Sequence, residues 1–188
     1  MAEFDQYNRW EAQIRQVQLP HWSELPKFDL YMDQVIAFVN DAIGSLGVEA
    51  MTPAMINNYV KHQVIIAPIK KKYQTMQLAD LLLIGLLKPL FSTETIRHGI
   101  DQVTAGDFPK QAYDNFIDVL NEALRQLGKG TAATPAKNLN EKLMQVAVNT
   151  IINRIQSEQL LKLIEKPIKK IEVTSKKSST NCVELFLF

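Results

Sequence analysis

The sequence predicts an all-α protein built around a helix-turn-helix with a small β wing, followed by a C-terminal helical extension. Apolar residues recur at three- and four-residue steps along most of the 188-residue chain, which is typical of amphipathic helices. Most of the seven glycines fall at the ends of these segments. One stretch, residues 51–73, instead joins a short helical pattern to a proline-containing extended turn and a basic triplet. The remaining segments are arranged before and after this stretch.

Composition and charge limit the classes of protein to which the chain can belong. The chain is 46% apolar and carries a net charge of +1, which is enough to bury a core and gives no global polycation. Charge is uneven, because residues 51–100 hold six basic groups against two acidic ones, whereas residues 1–50 hold three against eight. This uneven charge indicates either a local basic face that binds phosphate or ion pairing between the two segments.

Cellular location is predicted from what the chain contains. Cys182 is the single cysteine, which agrees with a reducing compartment. The N-terminus lacks the layout of a secretory signal, and the longest apolar run, interrupted by Asp80, is too short to span a bilayer. We expect a cytoplasmic protein with no membrane partner.

The first part of the chain is predicted to support the central stretch. Residues 1–28 form an amphipathic helix and a connector, in which Trp22 anchors the segment between Pro20 and Pro26. A longer helix follows from about Asp29 to Leu46.

The helix in the central stretch has a clear start and two faces. Thr52 is an N-cap residue and Pro53 suits the first helical position. Four apolar residues share the face that should point to a core: Met55, Ile56, Tyr59 and Val60. Four others lie opposite: Ala54, Asn57, Asn58 and Lys61. An outward Asn pair suits hydrogen bonding to adenine in the major groove, although a local capping or surface role is the simpler alternative.

The residues after this helix are predicted to form the wing. Ile65, Ile66 and Ile69 around Pro68 favour an extended arm, and residues 70–73 would return along it as a second strand. An irregular loop is the alternative, because an isolated hairpin is only marginally stable. Lys70, Lys71 and Lys72 are the candidate phosphate contacts, and Thr52 and Tyr73 complete the set of candidate DNA-binding residues.

Helices are predicted for most of the remaining chain. A central core helix spans Thr75 to Leu87, Ser92 caps the next one, and Pro109 starts another. Residues 128–136 read as a linker, and a helix from about Asn138 to Ile164 carries an apolar stripe that must be buried on its own chain or on a second subunit. We assign residues 29–106 to the helix-turn-helix, 107–165 to a dimerisation or effector region, and 166–188 to a tail that is a weak hairpin or disordered.

The chain resembles a known family at several motifs. These are D-L-Y-M-D-Q-V at 29–35, T-P-A-M-I-N-N-Y-V-K at 52–61 and P-I-K-K-K-Y at 68–73, with W-S-E-L-P at 22–26. Together they resemble the domain-of-unknown-function family 1836 of Gram-positive bacteria over about residues 19–105. The resemblance implies a relation to the MerR-like winged helix-turn-helix regulators, and therefore duplex DNA as partner.

Two positions depart from the wider MerR pattern. The arginine of that pattern's recognition helix is Asn57 here, and the glycine that follows the helix is Gln63. Lys71 falls at the wing arginine. The resemblance therefore supports the scaffold more than it supports particular base contacts.

Catalytic chemistry has little support in the sequence. His21, His62 and His98 lie far apart and show no metal-ligand spacing, and no nucleophile motif or phosphate-binding glycine loop occurs. Asp29 and Asp33 form an i,i+4 acidic pair that is typical of a solvated face. We expect a non-enzymatic protein without metal or cofactor.

Three functions remain open. The first is a dimeric transcription regulator that places Asn57, Asn58 and Lys61 in the major groove and the lysine triplet on phosphate. The second is a protein–protein adaptor that uses Met55, Tyr59 and the wing as an apolar patch. The third is a small-molecule sensor built from residues 107–165, whose effector is unknown. Binding to DNA through about four lysines should weaken with a log–log salt slope near −3.6, whereas an adaptor should be insensitive to salt.

Overall fold

The structure is a computed structural model, which describes residues 2–105, 108–129 and 135–164. In this part of the chain the regular structure is helical. The α-helices, numbered in chain order, are α1 Ala2–Ile14, α2 Met32–Ile43, α3 Pro53–Lys61, α4 Thr75–Leu87, α5 Thr93–Thr104, α6 Pro109–Arg125 and α7 Leu139–Ile164. Two short 3₁₀ turns lie at Trp22–Glu24 and Gly44–Leu46.

Helix α2, the turn after it and α3 lie where the helix-turn-helix is predicted. Val35, Val39 and Ile43 recur at four-residue steps on α2 and are buried. Asn40 fixes the turn, because its side chain donates to the carbonyl of Met51 at 3.1 Å and accepts from the Met51 N–H at 2.7 Å. One amide therefore satisfies both backbone groups of the residue that leads into α3.

The predicted central core helix is confirmed as α4, whose residues from Gln77 to Leu86 are all buried. Gly85 lets α2 approach closely, since a Cβ at that position would overlap the side chain of Ile43. Leu78, Leu82 and Ile84 have no exposed surface, so this helix forms the middle of the core.

The predicted β wing is wrong. The described residues contain no strand, only two isolated antiparallel bridges, Leu30 with Tyr73 and Ile69 with Lys72. The fold class therefore holds as all-α, but the predicted MerR-like winged form is not found.

Three backbone groups explain why no ladder forms. Pro68 has no N–H to donate. The carbonyl of Ile66 accepts from the Gln77 side chain at 3.0 Å, and the backbone of Tyr73 exchanges two hydrogen bonds with Leu30, at 2.8 and 2.9 Å. The two arms therefore pair with each other through the single Ile69–Lys72 bridge, while Ile66 and Tyr73 bond to other elements. The same pairing of Leu30 delays the start of α2 to Met32, three residues later than the sequence predicts.

The outer helices complete the same core. The connector lies on α6, where Asn121 bonds both backbone groups of Leu19, at 2.8 and 3.0 Å, and Tyr113 donates to the carbonyl of Pro20 at 2.9 Å. α7 packs against α6 and α1, and Gln156 donates to the hydroxyl of Tyr7 at 3.1 Å. Buried side chains of all seven helices belong to one hydrophobic cluster.

The apolar stripe predicted on α7 is buried in its middle only. Val148, Ile151 and Ile155 are buried on this chain, whereas Leu143 and Leu160 are 49% and 41% exposed. No helix in the described ranges is long and apolar enough to cross a membrane. The predicted tail, residues 166–188, lies outside the described residues, as does most of the predicted linker.

Candidate functional site

The start of α3 is as the sequence predicts. The hydroxyl of Thr52 accepts a hydrogen bond from the N–H of Met55 at 3.3 Å, and Pro53 is the first helical residue. This arrangement satisfies one of the unpaired N–H groups at the helix start and presets the backbone angle of the first turn. Thr52 is exposed, but its hydroxyl is already used as a cap.

The predicted division of α3 into two faces is also confirmed. Ile56 and Tyr59 are buried, and Met55 and Val60 are partly buried against the same core. The opposite face is exposed and consists of Ala54, Asn57, Asn58 and Lys61. The amides of Asn57 and Asn58 make no hydrogen bond within the described residues. Their donors and acceptors therefore face solvent.

The C-terminus of α3 is closed by Gln63 in an unfavourable conformation. Gln63 has a φ of 57°. The N–H of Val64 bonds the carbonyl of Tyr59 at 2.8 Å and that of Gln63 bonds Val60 at 3.1 Å, which is the bonding pattern of a Schellman motif. Glycine usually occupies this left-handed position because it has no Cβ to clash. The expected glycine is thus absent, although the conformation it would adopt is present.

A tight turn at Ile69–Lys72, which we call the lysine turn, lies where the wing was predicted. Ile69 and Lys72 exchange hydrogen bonds of 3.1 and 2.9 Å, while Lys70 and Lys71 have φ angles of 50° and 64°. Positive φ at both central residues is the geometry of a type I′ turn, which favours Asn-Gly. Gln63, Lys70 and Lys71 are the non-glycine residues of the described chain with positive φ. Backbone strain is therefore concentrated in the stretch that the sequence singles out.

The residues at the base of the lysine turn differ in exposure. Lys70 and Lys71 are exposed, and Lys72 is partly buried with its ammonium 5.5 Å above the ring centre of Tyr31. Tyr73 is only 2% exposed, so its side chain belongs to the core rather than to a contact surface. Tyr31, at the N-cap of α2, is 52% exposed and adds an aromatic group that is not among the predicted site residues. Its place in the D-L-Y-M-D-Q-V motif at 29–35 is the sequence signal that could have indicated it.

Three lysines on this surface are free to contact an external anion. Within the described part of the chain, Lys61, Lys70 and Lys71 make no ion pair. Lys88 nearby is engaged, since its ammonium lies 3.7 Å from the carboxylate of Glu49. An unpaired, exposed lysine keeps its full charge for an external anion.

A second feature is a cavity of about 440 Å³ among α4, α5, α6 and α7. Its lining is mostly apolar, with a charged group at Asp80. Arg97 bonds Asp80 at 3.2 Å, Asp101 at 2.6 Å and the carbonyl of Val64 at 3.4 Å. Burial raises the pKa of Asp80 to about 6, although Arg97 acts in the opposite direction. The cavity was not anticipated, because it depends on how helices distant in sequence pack.

Metal binding finds no geometric support in the described ranges. They contain no group of three or more His, Cys, Asp or Glu side chains that could hold an ion. His21 instead pairs with Asp118 at 2.8 Å, and this hydrogen bond raises the pKa of the imidazole although burial acts in the opposite direction.

Comparison with known families identifies the segment that holds these features. A family model described as Domain of unknown function (DUF1836) matches residues 20–116, which is more than half of the chain. The chain belongs to this family. The DUF1836 segment includes α3, the lysine turn, Asp80 and Arg97, and it ends within α6. Neither a curated protein nor a solved structure matches the chain significantly.

Proposed function

We propose that this DUF1836 protein is a cytoplasmic, non-catalytic transcription regulator that binds double-stranded DNA. In this proposal α3 enters the major groove, and the lysine turn contacts phosphate beside it. The observation that carries the proposal is the exposed face of α3, where Asn57 and Asn58 have unpaired amides beside the unpaired Lys61. We leave Tyr73 out of the interface because its side chain is buried.

The polar face of α3 suits base recognition. An Asn side chain offers one acceptor and two donors, and adenine presents the matching pair at N7 and N6 in the major groove. Two adjacent Asn residues lower the intrinsic stability of an exposed helix, since Asn competes with the backbone for hydrogen bonds. A partner that uses both amides offsets that cost.

The lysine turn suits phosphate contact. Lys70 and Lys71 are exposed at its tip, and the turn is held between the bridge of Tyr73 to Leu30 and the buried Val64 and Ile65. A charge on an anchored backbone loses less entropy on binding than one on a free loop. Lys61, Lys70 and Lys71 give an expected salt slope of about −2.7 for each protomer.

We further propose a homodimer that binds a palindrome. The helices of residues 107–165 are the dimerisation region, and the last two turns of α7 expose three apolar side chains, Leu160, Leu161 and Ile164. A two-fold pair of α3 helices would reach successive major-groove turns about 34 Å apart. A protein that stays monomeric at micromolar concentration while binding DNA tightly would contradict this part.

Selection of bound duplexes from a random pool at two salt concentrations tests the proposal. We expect a recovered palindrome, with a log–log salt slope of about −5.4 for a dimer with six lysine contacts. Asn57→Ala should cost about 1–3 kcal/mol on the preferred site and relax one base position. Lys71→Gln should instead weaken binding to all sequences alike. The matched control is Lys142→Gln, which changes an exposed lysine in the first turn of α7, at the opposite end of that helix from Leu160, Leu161 and Ile164. Failure to enrich any sequence, or equal effects of the first two variants, would contradict the proposed division of roles.

A protein partner is the second candidate function. The observation that favours it is the exposure of two apolar side chains beside the lysine turn, Ile66 at 65% and Ile69 at 64%. The apolar patch first expected from Met55 and Tyr59 is not available, since Tyr59 is buried. Binding that stays constant between low and high salt would favour this adaptor over DNA.

A further inference from the structure

The cavity among α4, α5, α6 and α7 has the size of a ligand site. Its volume of about 440 Å³ lies within the range of small-molecule pockets. The lining includes four aromatic side chains, Trp22, Phe91, Tyr113 and Phe116, together with aliphatic groups such as Leu83 and Ile100. The rings of Trp22 and Tyr113 pack edge to face, with 5.9 Å between their centres. The walls are therefore apolar and aromatic.

Gly99 indicates that open space is present beside α5. It lies inside that helix and lines the cavity, and a Cβ built there would meet no atom within 4 Å. Glycine in a helix interior is less stable than alanine, and here no neighbouring atom of the described chain requires it. The cavity therefore has room beside α5 for a group that is not part of the described residues.

The charged groups at the cavity leave one negative charge in excess. Asp80 and Asp101 both face Arg97, which already donates to both of them and to the carbonyl of Val64. Only one oxygen of Asp80, Oδ2, accepts a hydrogen bond within the described residues, so Oδ1 is left to accept another. A ligand carboxylate would be repelled by this excess negative charge, whereas a ligand ammonium would be attracted by it.

We propose that the cavity binds an apolar organic cation, an aromatic or branched amine, whose ammonium group donates to Asp80 and whose hydrocarbon body fills the space beside Gly99. The aromatic lining adds to the attraction, because the faces of Trp and Tyr rings attract cations. This binding step is independent of whether the protein binds DNA.

The cavity is connected to the end of α3. Gln63 and Val64 both line it, and they form the motif that closes that helix. Arg97 contacts the carbonyl of Val64 as well as Asp80, so an ammonium that binds Asp80 changes the charge facing this guanidinium. We therefore expect the amine to change DNA affinity by about 5- to 150-fold, a step that does rest on the proposed function.

Three probes of nearly equal shape test the ligand class in the full-length protein. They are 1-naphthylmethylamine, 1-naphthylmethanol and 1-naphthoic acid, measured by calorimetry at about pH 7.5, where the amine is charged and Asp80 is mostly ionised. We expect the amine to bind about tenfold more tightly than the alcohol, and the acid most weakly. Absence of binding by all three, or tightest binding by the acid, would overturn the proposal.

Two substitutions locate the site. Asp80→Asn should remove the preference for amine over alcohol, and Gly99→Leu should abolish binding of both by filling the cavity. Gly44→Leu is the matched control, because a side chain there also enters open space but lies away from the cavity. Circular dichroism and thermal unfolding confirm that each variant is folded. If Gly99→Leu is folded and binds the amine as tightly as the unmodified protein, the cavity is not the site.

Separate measurements test the binding of the amine and its effect on DNA affinity. Calorimetry with the amine tests the cavity without DNA, and fluorescence anisotropy of a selected duplex with and without the amine tests the link. Amine binding with unchanged DNA affinity would overturn the link alone. Amine binding by a protein that selects no DNA sequence would support the cavity and contradict the regulator.

Discussion

Replacing Lys70 and Lys71 by Asn and Gly should stabilise the protein while weakening its binding to DNA. Both residues adopt left-handed backbone angles, φ 50° and 64°, in a two-residue type I′ turn whose preferred sequence is Asn-Gly. A left-handed conformation costs a residue with a Cβ roughly 1–2 kcal/mol, and Asn tolerates it better than Lys. The double variant Lys70→Asn/Lys71→Gly relieves this strain without changing the hydrogen bonds of the turn.

The magnitude follows from two opposing effects. Relief of strain at both positions stabilises by roughly 2 kcal/mol, and glycine destabilises by roughly 0.5–1 kcal/mol through the greater freedom of the unfolded chain. The net gain in unfolding free energy is about 1 kcal/mol, which for a protein of this size raises Tm by about 2–4 °C. Loss of two phosphate contacts should reduce the log–log salt slope by about 1.8 for each protomer.

Urea unfolding and DNA binding at several salt concentrations measure the two effects separately. Lys137→Gln/Lys142→Gln is the matched control, because it removes the same charge from exposed positions outside the proposed DNA interface and at the opposite end of α7 from Leu160, Leu161 and Ile164. The control should leave both stability and salt slope nearly unchanged. If the turn variant unfolds more easily, or keeps its salt slope, then the lysines are not strained residues retained for phosphate contact.

Three further predictions concern buried or paired groups. The hydroxyl of Tyr59 is buried without a hydrogen-bond partner in the described chain, so Tyr59→Phe should raise the unfolding free energy by about 1 kcal/mol, measured by urea unfolding; a loss of stability would mean that the hydroxyl has a bound partner. The pKa of Asp80 is raised from 3.8 to about 6, so this carboxyl stays protonated to a higher pH in the folded state than in the unfolded state. The protein therefore loses stability as the pH rises from about 4 to 6. Asp80→Asn should remove this loss, worth about 3 kcal/mol at neutral pH, and an equal pH dependence of both proteins would contradict it. The pKa of His21 is raised mainly by its hydrogen bond to Asp118, so this pair stabilises below pH 6.5 and the effect is lost as the pH rises through the folded-state pKa. An NMR titration of His21 should show the pKa falling in Asp118→Asn, and no change would refute the cause.

Features that depend on neighbouring residues were predictable from the sequence. The N-caps Thr52 and Ser92 accept bonds from the N–H groups of Met55 and Thr95, each within a single turn. The two faces of α3 follow from helical periodicity alone. Local rules sufficed here because no distant residue competes for these groups.

Features that depend on distant partners could not be predicted. The prediction of a β wing is wrong because the backbone of Tyr73 forms its hydrogen bonds with Leu30. Nothing in the local sequence of either residue indicates that pairing. Asp80 read as an interruption of an apolar run, whereas its burial depends on Arg97 from the next helix. Gln63 was recognised as a departure from an expected glycine, but its left-handed conformation is set by the helix end it closes.

The shared core has a consequence for where this protein can be divided. The DUF1836 segment ends at residue 116, in the first half of α6, while Leu120 and Leu124 beyond it are fully buried in the same cluster as α2 and α3. Asn121, which satisfies the backbone of Leu19, also lies beyond that point. The segment that the family model covers is therefore smaller than the unit that shares one core in this chain, and the helices after it supply part of its interior.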